Sequence, residues 1–143
     1  MSRRRDRNNF MALINAIPLF ALIWVIYNLI IISGNNTTLD AELISINLIS
    51  GAVWQITSKD LLLLMGLVTL YVETLKATRS NLVSIVNHSL SILVFVLFLV
   101  EFIIIAEAGN STFFLLGLMS LMDAIAGFAI TIVAARRDFN APD

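Results

Sequence analysis

Five ionisable side chains lie inside long apolar stretches of the sequence, and they are its best candidates for chemistry: Glu73, His88, Glu101, Glu107 and Asp123. An ionisable group inside a membrane is costly, so each one needs a partner or a role. Carboxylates and a histidine at several depths are typical of a proton relay. They are also typical of a small helix bundle that polar side chains hold together.

Asp123 lies near the middle of the fourth apolar stretch, where so short a side chain cannot reach water. An aspartate at that depth costs about 3 kcal/mol, which predicts a protonated acid or a partner. The same helix face carries Ser120 and Gly127, and small residues at this spacing let helices approach closely and form interhelical hydrogen bonds. We therefore expect a packing ridge with one acid embedded in it.

Glu73 and His88 lie at similar distances from the turn that joins the second and third stretches, roughly 7 Å inside the membrane boundary. This spacing permits a Glu73–His88 pair across two helices. The alternative is a pair between Glu73 and Lys76 on one helix, with the acid reaching toward the interface.

The titratable groups are predicted to lie at successive depths in the membrane, like a ladder. From the outside inward, the order is Glu107, Glu101, Asp123 and then the level of His88 and Glu73. Glu101 is rotated by about 100° from the helix face that carries Ser84, His88 and Ser91, which weakens a single continuous pathway. Asn15 and Asn28 lie on nearly opposite faces of the first stretch, so they define no single site.

The elements that must position these side chains follow from composition and length. Of the 143 residues, 59% are hydrophobic and 13% are charged, whereas soluble domains carry about 25% charged residues. This composition excludes a soluble enzyme, a disordered chain and a nucleic-acid binder. Apolar stretches long enough to cross a hydrocarbon core of about 30 Å occur four times, at 10–33, 61–77, 83–107 and 112–135. The sequence thus predicts an all-α membrane protein, a bundle of four transmembrane helices over residues 10–135.

Basic residues predict the orientation of this bundle. Eight of the nine Lys and Arg residues fall on one side of the four spans, and only Lys59 falls on the other. Basic residues near span ends stay in the cytoplasm. We therefore expect cytoplasmic tails at 1–9 and 136–143, with the first span as an uncleaved anchor.

The predicted outer loop, residues 34–60, contains two strand-like runs. Apolar and polar residues alternate over 44–48, Ser50-Gly51 interrupts them, and β-branched and aromatic residues follow over 52–57. This pattern indicates a β-hairpin whose strands are half-buried. An amphipathic helix on the membrane surface is the alternative, and Trp54 suits the interfacial level in either case.

The run Ser50-Gly51-Ala52-Val53-Trp54 and the runs at 60–64, 73–79, 111–116 and 123–128 resemble small four-span membrane proteins of bacteria to which no activity is assigned. The resemblance covers about the last two-thirds of the chain. It implies a multi-pass protein of the bacterial plasma (inner) membrane, and it implies no particular function.

The sequence offers little for catalysis. It contains no cysteine, a single histidine and no glycine-rich phosphate loop, so we expect no enzyme activity, cofactor or metal site. We expect a non-catalytic accessory or structural protein of the lipid bilayer, which associates with itself or with other membrane proteins through its small-residue and acidic faces. The alternative is an oligomeric proton or cation channel or transporter that uses the intramembrane carboxylates Asp123 and Glu101.

Overall fold

The computed structural model describes residues 17–33, 39–78 and 82–139, which form four helices and one two-stranded antiparallel hairpin. Several predicted features lie outside the described residues: the tail at 1–9, the start of the first span at 10–16, the cytoplasmic turn at 79–81, and the end of the C-terminal tail at 140–143. The Ser84 side chain also lies outside them.

Helix α1, Leu19–Ile32, begins directly after Pro18, whose backbone is extended with φ −66° and ψ 132°. The prediction of one helix over 10–33 is therefore wrong at Ile17 and Pro18, which are not helical. Proline lacks an N–H and disfavours helical backbone at the residue before it, so it suits the start of a helix better than its interior. As a result, the first backbone N–H of α1 needs an acceptor from another element.

The predicted hairpin is confirmed. Strand β1, Glu42–Asn47, pairs antiparallel with β2, Val53–Thr57, and Gly51 in the connecting turn has φ +84°. The left-handed backbone at this position favours glycine. The expectation that the strands are half-buried is wrong, because every residue of β1 and the first three of β2 are exposed.

Helix α2, Ser58–Ala77, follows β2 without a linker and begins three residues before the predicted span. A capping box sets this start. The Thr57 backbone N–H donates to the Asp60 carboxylate at 2.8 Å, and the Asp60 backbone N–H donates to the Thr57 hydroxyl at 3.4 Å. These reciprocal bonds satisfy donors that the first turn of a helix leaves open.

The predicted third span ends early. Helix α3 covers Leu82–Ile104, a 3₁₀ turn follows at Ala106–Ala108, and helix α4 covers Ser111–Phe139. Glu107 therefore lies in the turn, where it is exposed, and not on the third helix as predicted. Asn110 caps α4, since its side-chain oxygen accepts from the backbone N–H of Phe113 at 3.1 Å.

Helix α1 runs antiparallel to both α2 and α4. Leu19 at the start of α1 contacts Glu73 near the end of α2, and Tyr27 near the end of α1 contacts Asn110 at the start of α4. The Tyr27 and Phe113 rings lie 4.6 Å apart between centroids and form part of the buried core.

Glycine lets α2 and α4 approach closely. A Cβ atom on Gly66 would lie 2.7 Å from the Leu116 side chain and 2.9 Å from the Met119 sulfur.

Within the described residues, two segments are long and apolar enough to cross a membrane, Val86–Ile104 in α3 and Ser111–Val133 in α4. The described part of α1 is apolar but has 14 residues, and α2 carries charged side chains near both ends. The molecule is thus mostly helical with two candidate spans, which indicate membrane association. Length and composition do not establish four spans.

The capping box predicts a pH-sensitive start of α2. Hydrogen bonds from the backbone and then the hydroxyl of Thr57 lower the pKa of Asp60. Because the folded pKa lies below the unfolded value of about 4, the stabilisation is complete above that value and is lost as the pH falls through the folded pKa. Amide hydrogen exchange in the first turn of α2 should therefore accelerate in acid.

Removal of the hydroxyl tests the same cap at neutral pH. Thr57→Ala should cost about 1 kcal/mol of local stability, which is about a fivefold faster exchange of the first-turn amides. Thr57→Ser, which keeps the hydroxyl, is the control. Equal exchange rates in both variants would show that the cap does not hold this end of α2.

Candidate functional site

The described helices bury a set of polar side chains and expose many large apolar ones. Large apolar residues cover the outside of all four helices, while the buried polar set consists of Glu73, Asn87, His88, Ser91, Glu101, Thr112, Ser120 and Asp123. Five of the six predicted site residues belong to this set, and the sixth, Gly127, is buried as well. The candidate site is therefore the interior between the helices.

Glu73 is fully buried and accepts three hydrogen bonds from three helices. The donors are the backbone N–H of Leu19 at 2.7 Å, the Lys76 ammonium at 3.1 Å and the Asn87 amide at 3.3 Å. Leu19 is the first residue of α1, so a carboxylate here also interacts favourably with the positive end of that helix. Glu73 thus satisfies a backbone N–H that the first turn of α1 leaves without an intrahelical acceptor.

The sequence hypotheses for Glu73 are met in part. The pair with Lys76 is present, but Glu73 does not reach toward the interface: its side chain is 0% exposed and that of Lys76 is 30% exposed. The bond from α3 comes from Asn87, one residue before the predicted partner His88. The Leu19 N–H was not foreseen, because a donor from the backbone appears only once the start of α1 is known.

Ser91 connects α3 to the acid in the middle of α4. Its hydroxyl lies 2.8 Å from the Asp123 carboxylate and 3.2 Å from the backbone oxygen of Asn87. Because Asn87 also bonds Glu73, these contacts form one continuous polar network. We use this name for the Leu19 N–H together with the side chains of Glu73, Lys76, Asn87, Ser91 and Asp123. The polar network reaches all four helices.

His88 packs on Gly127. A Cβ atom at Gly127 would lie 2.1 Å from His88 Nδ1 and 2.2 Å from Cε1, so any larger residue would displace the ring. The Phe128 ring lies beside it, with centroids 6.0 Å apart. His88 and Asp123 are both close enough to Glu73 and Lys76 for Coulombic interaction. The small-residue face of α4 therefore accommodates the His88 ring of α3 at Gly127.

Glu101 belongs to a separate pair. Its carboxylate accepts from the Asn28 amide of α1 at 3.1 Å, and the same amide donates to the Trp24 backbone oxygen. Asn28 was not assigned to a site from the sequence, because its partner depends on how α1 is rotated against α3.

The predicted ladder of acids is interrupted. Glu101 lies ten residues from Ser91 on α3, about 15 Å along the helix axis. The side chains of Val94 and Phe98 lie between them on α3 and are buried, with 7% and 1% of their surface exposed. Apolar side chains offer no hydrogen-bonding group for a proton. The Asn28–Glu101 pair and the polar network are thus two separate polar layers.

A third polar contact holds the end of the molecule near the 3₁₀ turn. The Asn110 amide donates to the Tyr27 hydroxyl at 2.6 Å and to the Glu107 backbone oxygen at 3.0 Å. The same side chain caps α4 through its oxygen. Asn110 therefore joins α1 to the start of α4, a role that the sequence did not indicate.

On α4, Asp123 Oδ1 and the Ser120 hydroxyl are buried and have no hydrogen-bond partner among the described residues. They lie three residues apart on α4, on its inward face. Buried polar atoms are usually bonded to protein or to ordered water, so this pair marks a place where a small polar species would be stabilised. In the described residues, no group of three or more His, Cys, Asp or Glu side chains could hold a metal ion.

No protein-family model, curated protein or solved structure matches the chain. The resemblance to small four-span bacterial membrane proteins stays an expectation. The function proposed for the protein therefore rests on its own contacts, on the polar side chains inside and the apolar surface outside.

The contact between His88 and Gly127 predicts a specific rescue. Gly127→Ala should destabilise the fold by about 1–3 kcal/mol, because the added methyl group overlaps the His88 ring. In a His88→Ala background the same change should cost much less. Unfolding in mixed micelles measures the stability of each variant.

Gly66→Ala is the matched control for this cycle. Its methyl group meets Leu116 and Met119, so its cost should be the same with or without His88. Equal costs of Gly127→Ala in the two backgrounds would contradict the contact.

The buried carboxylate of Glu73 predicts a larger loss. Glu73→Leu leaves three donors without their acceptor and should cost about 3 kcal/mol. Lys76→Met removes only a partly exposed partner and should cost less. Amide exchange at Leu19 gives a local readout, since it should accelerate in Glu73→Leu and change little in Lys76→Met. Unchanged exchange at Leu19 in both variants would contradict this bond.

Proposed function

We propose that the protein is a small integral membrane protein in which α1 to α4 all cross the bilayer as a four-helix bundle. The observation that carries the proposal is the distribution of side chains, with acids, histidine and serines inside and large apolar residues outside. Water-soluble monomers rarely expose contiguous apolar surface on this scale, whereas lipid is a suitable solvent for it.

Helices α1 and α2, which length and composition alone do not identify as membrane spans, also suit a bilayer. The outward face of α2 is apolar along almost its whole length, with Leu61, Leu64, Val68, Tyr71 and Leu75 all exposed. Its charged side chains lie near its two ends: Lys59 pairs with Asp40, Lys76 pairs with Glu73, and Asp60 accepts from Thr57 in the capping box. On α1, the exposed side chains are also large and apolar.

The orientation is part of the proposal. Basic residues cluster in the N-terminal tail, beside the turn after α2 and at the end of α4, which favours a cytoplasmic location for both termini. The hairpin then lies on the outer side of a bacterial plasma membrane.

We assign the buried acids a structural role. Glu73, Glu101 and Asp123 each accept a hydrogen bond from another helix, and such bonds hold helices together where lipid gives no hydrophobic driving force between them. The face of Ser120, Asp123 and Gly127 is occupied inside the molecule. Association with a second copy or with other membrane proteins is therefore assigned to the apolar outer surface, in a non-catalytic accessory or structural role.

Substitutions at Asp123 test the structural role. Asp123→Asn keeps an oxygen that can accept from Ser91, so its stability should be close to that of the original protein. Asp123→Leu loses the bond between α3 and α4 and should cost about 1 kcal/mol, a usual value for interhelical bonds in membranes. Equal destabilisation of the two variants in mixed micelles would contradict this role.

Proton or cation conduction is the second candidate. It is favoured by the unpartnered oxygens of Asp123 and Ser120, and it is opposed by the apolar layer of Val94 and Phe98. Proteoliposomes that contain the same Asp123→Asn variant separate the two functions. The structural role expects no proton flux above protein-free vesicles in either protein. Flux that the original protein supports and the variant abolishes would establish conduction instead.

A further inference from the structure

The hairpin of β1 and β2 lacks a cover in the described part of the chain. All six residues of β1 and the first three of β2 are exposed, and only Ile56 and Thr57 at its base are partly buried. A two-stranded hairpin alone is marginally stable at best in water. Something outside the described residues therefore stabilises it.

The two faces of this hairpin differ in the polarity of their side chains. Ile44 pairs with Ile56, and Ile46 pairs with Trp54, so these four residues share one apolar face. The other face is mixed: Ser45 is opposite Gln55 and Asn47 is opposite the exposed Val53, and the Gln55 amide also donates to Glu42. Ile49 in the turn is fully exposed. The unpartnered surface is thus one face and the tip of the hairpin.

Apart from Glu42, the hairpin carries no charged residue. Residues 43–57 contain no Asp, Glu, Lys or Arg, although Asp40, Glu42, Lys59 and Asp60 flank them closely. A surface without charges can enter a membrane interface without the cost of desolvating an ion. An exposed hairpin that faced only water would gain solubility from charged side chains.

The base of the hairpin is fixed to the start of α2. Strand β2 ends at Thr57, α2 starts at Ser58, and the capping box locks the junction. A strand of five residues spans about 17 Å. If α2 enters the membrane at its start, strand β2 and the residues paired with it lie within about that distance of the bilayer surface.

We propose that the hairpin lies on the bilayer, with Ile44, Ile46, Trp54 and Ile56 in the interfacial region of the leaflet next to the start of α2. This inference rests on the proposed membrane setting. The bilayer covers the apolar face directly, and tryptophan is enriched at this level. Pairing of a free strand edge with a second copy would satisfy backbone groups and leave the apolar face in water.

The two tryptophans of the chain, Trp24 in α1 and Trp54 in β2, allow a direct test. Trp24→Phe leaves Trp54 as the reporter, and Trp54→Phe leaves Trp24 as a membrane reference. Each variant is reconstituted in phosphatidylcholine vesicles that carry bromine on the acyl chains, either near the headgroup or near the bilayer centre. We expect shallow bromines to quench Trp54 more strongly than deep ones, and aqueous iodide to quench it weakly.

Substitutions on the two faces of β1 provide the matched control. Ile46→Asp places a charge on the apolar face opposite Trp54 and should raise the quenching of Trp54 by iodide severalfold. Ser45→Asp places the same charge on the other face and should leave the quenching of Trp54 by iodide unchanged.

The alternative outcomes are distinct. Trp54 quenched fully by iodide and not by bromine, while Trp24 is quenched by bromine, would overturn the hairpin inference and leave the membrane setting intact. Trp54 shielded from both quenchers would overturn it in favour of a protein partner or a second copy. If bromine quenches neither tryptophan, the membrane setting fails as well.

Discussion

The rest of the structure depends on one constraint, that a carboxylate buried at Glu73 must take all of its hydrogen bonds from the protein. Its donors come from the first residue of α1, from Lys76 on α2 and from Asn87 on α3. A group with fewer donors would be expensive in so apolar a surrounding. The position of Glu73 therefore fixes the start of α1 between the end of α2 and the beginning of α3.

The same constraint explains the layered interior. From Asn87 the polar network continues to Asp123, while the Asn28–Glu101 pair forms a second layer nearer the other end of α3. Val94 and Phe98 fill the space between the layers. The polar network bonds all four helices at one level and the Asn28–Glu101 pair bonds α1 to α3 at another, so the two together resist both sliding and separation. This arrangement serves cohesion better than the transfer of a proton along the molecule.

Much of this fold follows from local sequence patterns. The apolar stretches locate the four helices, and the alternation around Gly51 predicts the hairpin. The start of α2 was predicted three residues too late, although a threonine three residues before an acid is a capping signal that marks it. The partners of Glu73 and Glu101 were not predictable from local patterns, since the Leu19 N–H can donate to a side chain only because α1 begins at that residue. The Asn28 partner likewise depends on helix rotation, which local patterns do not set.

The central claim is that Glu73 joins α1 to α3 inside a bilayer, and solid-state NMR of the labelled protein in lipid tests it most directly. The account predicts through-space correlations from the Glu73 carboxyl carbon to the Leu19 amide nitrogen and to the side-chain nitrogen of Asn87. A carboxyl carbon that correlates only with Lys76 and with water would contradict it. That result would place Glu73 at the membrane surface and remove the bond that fixes the start of α1.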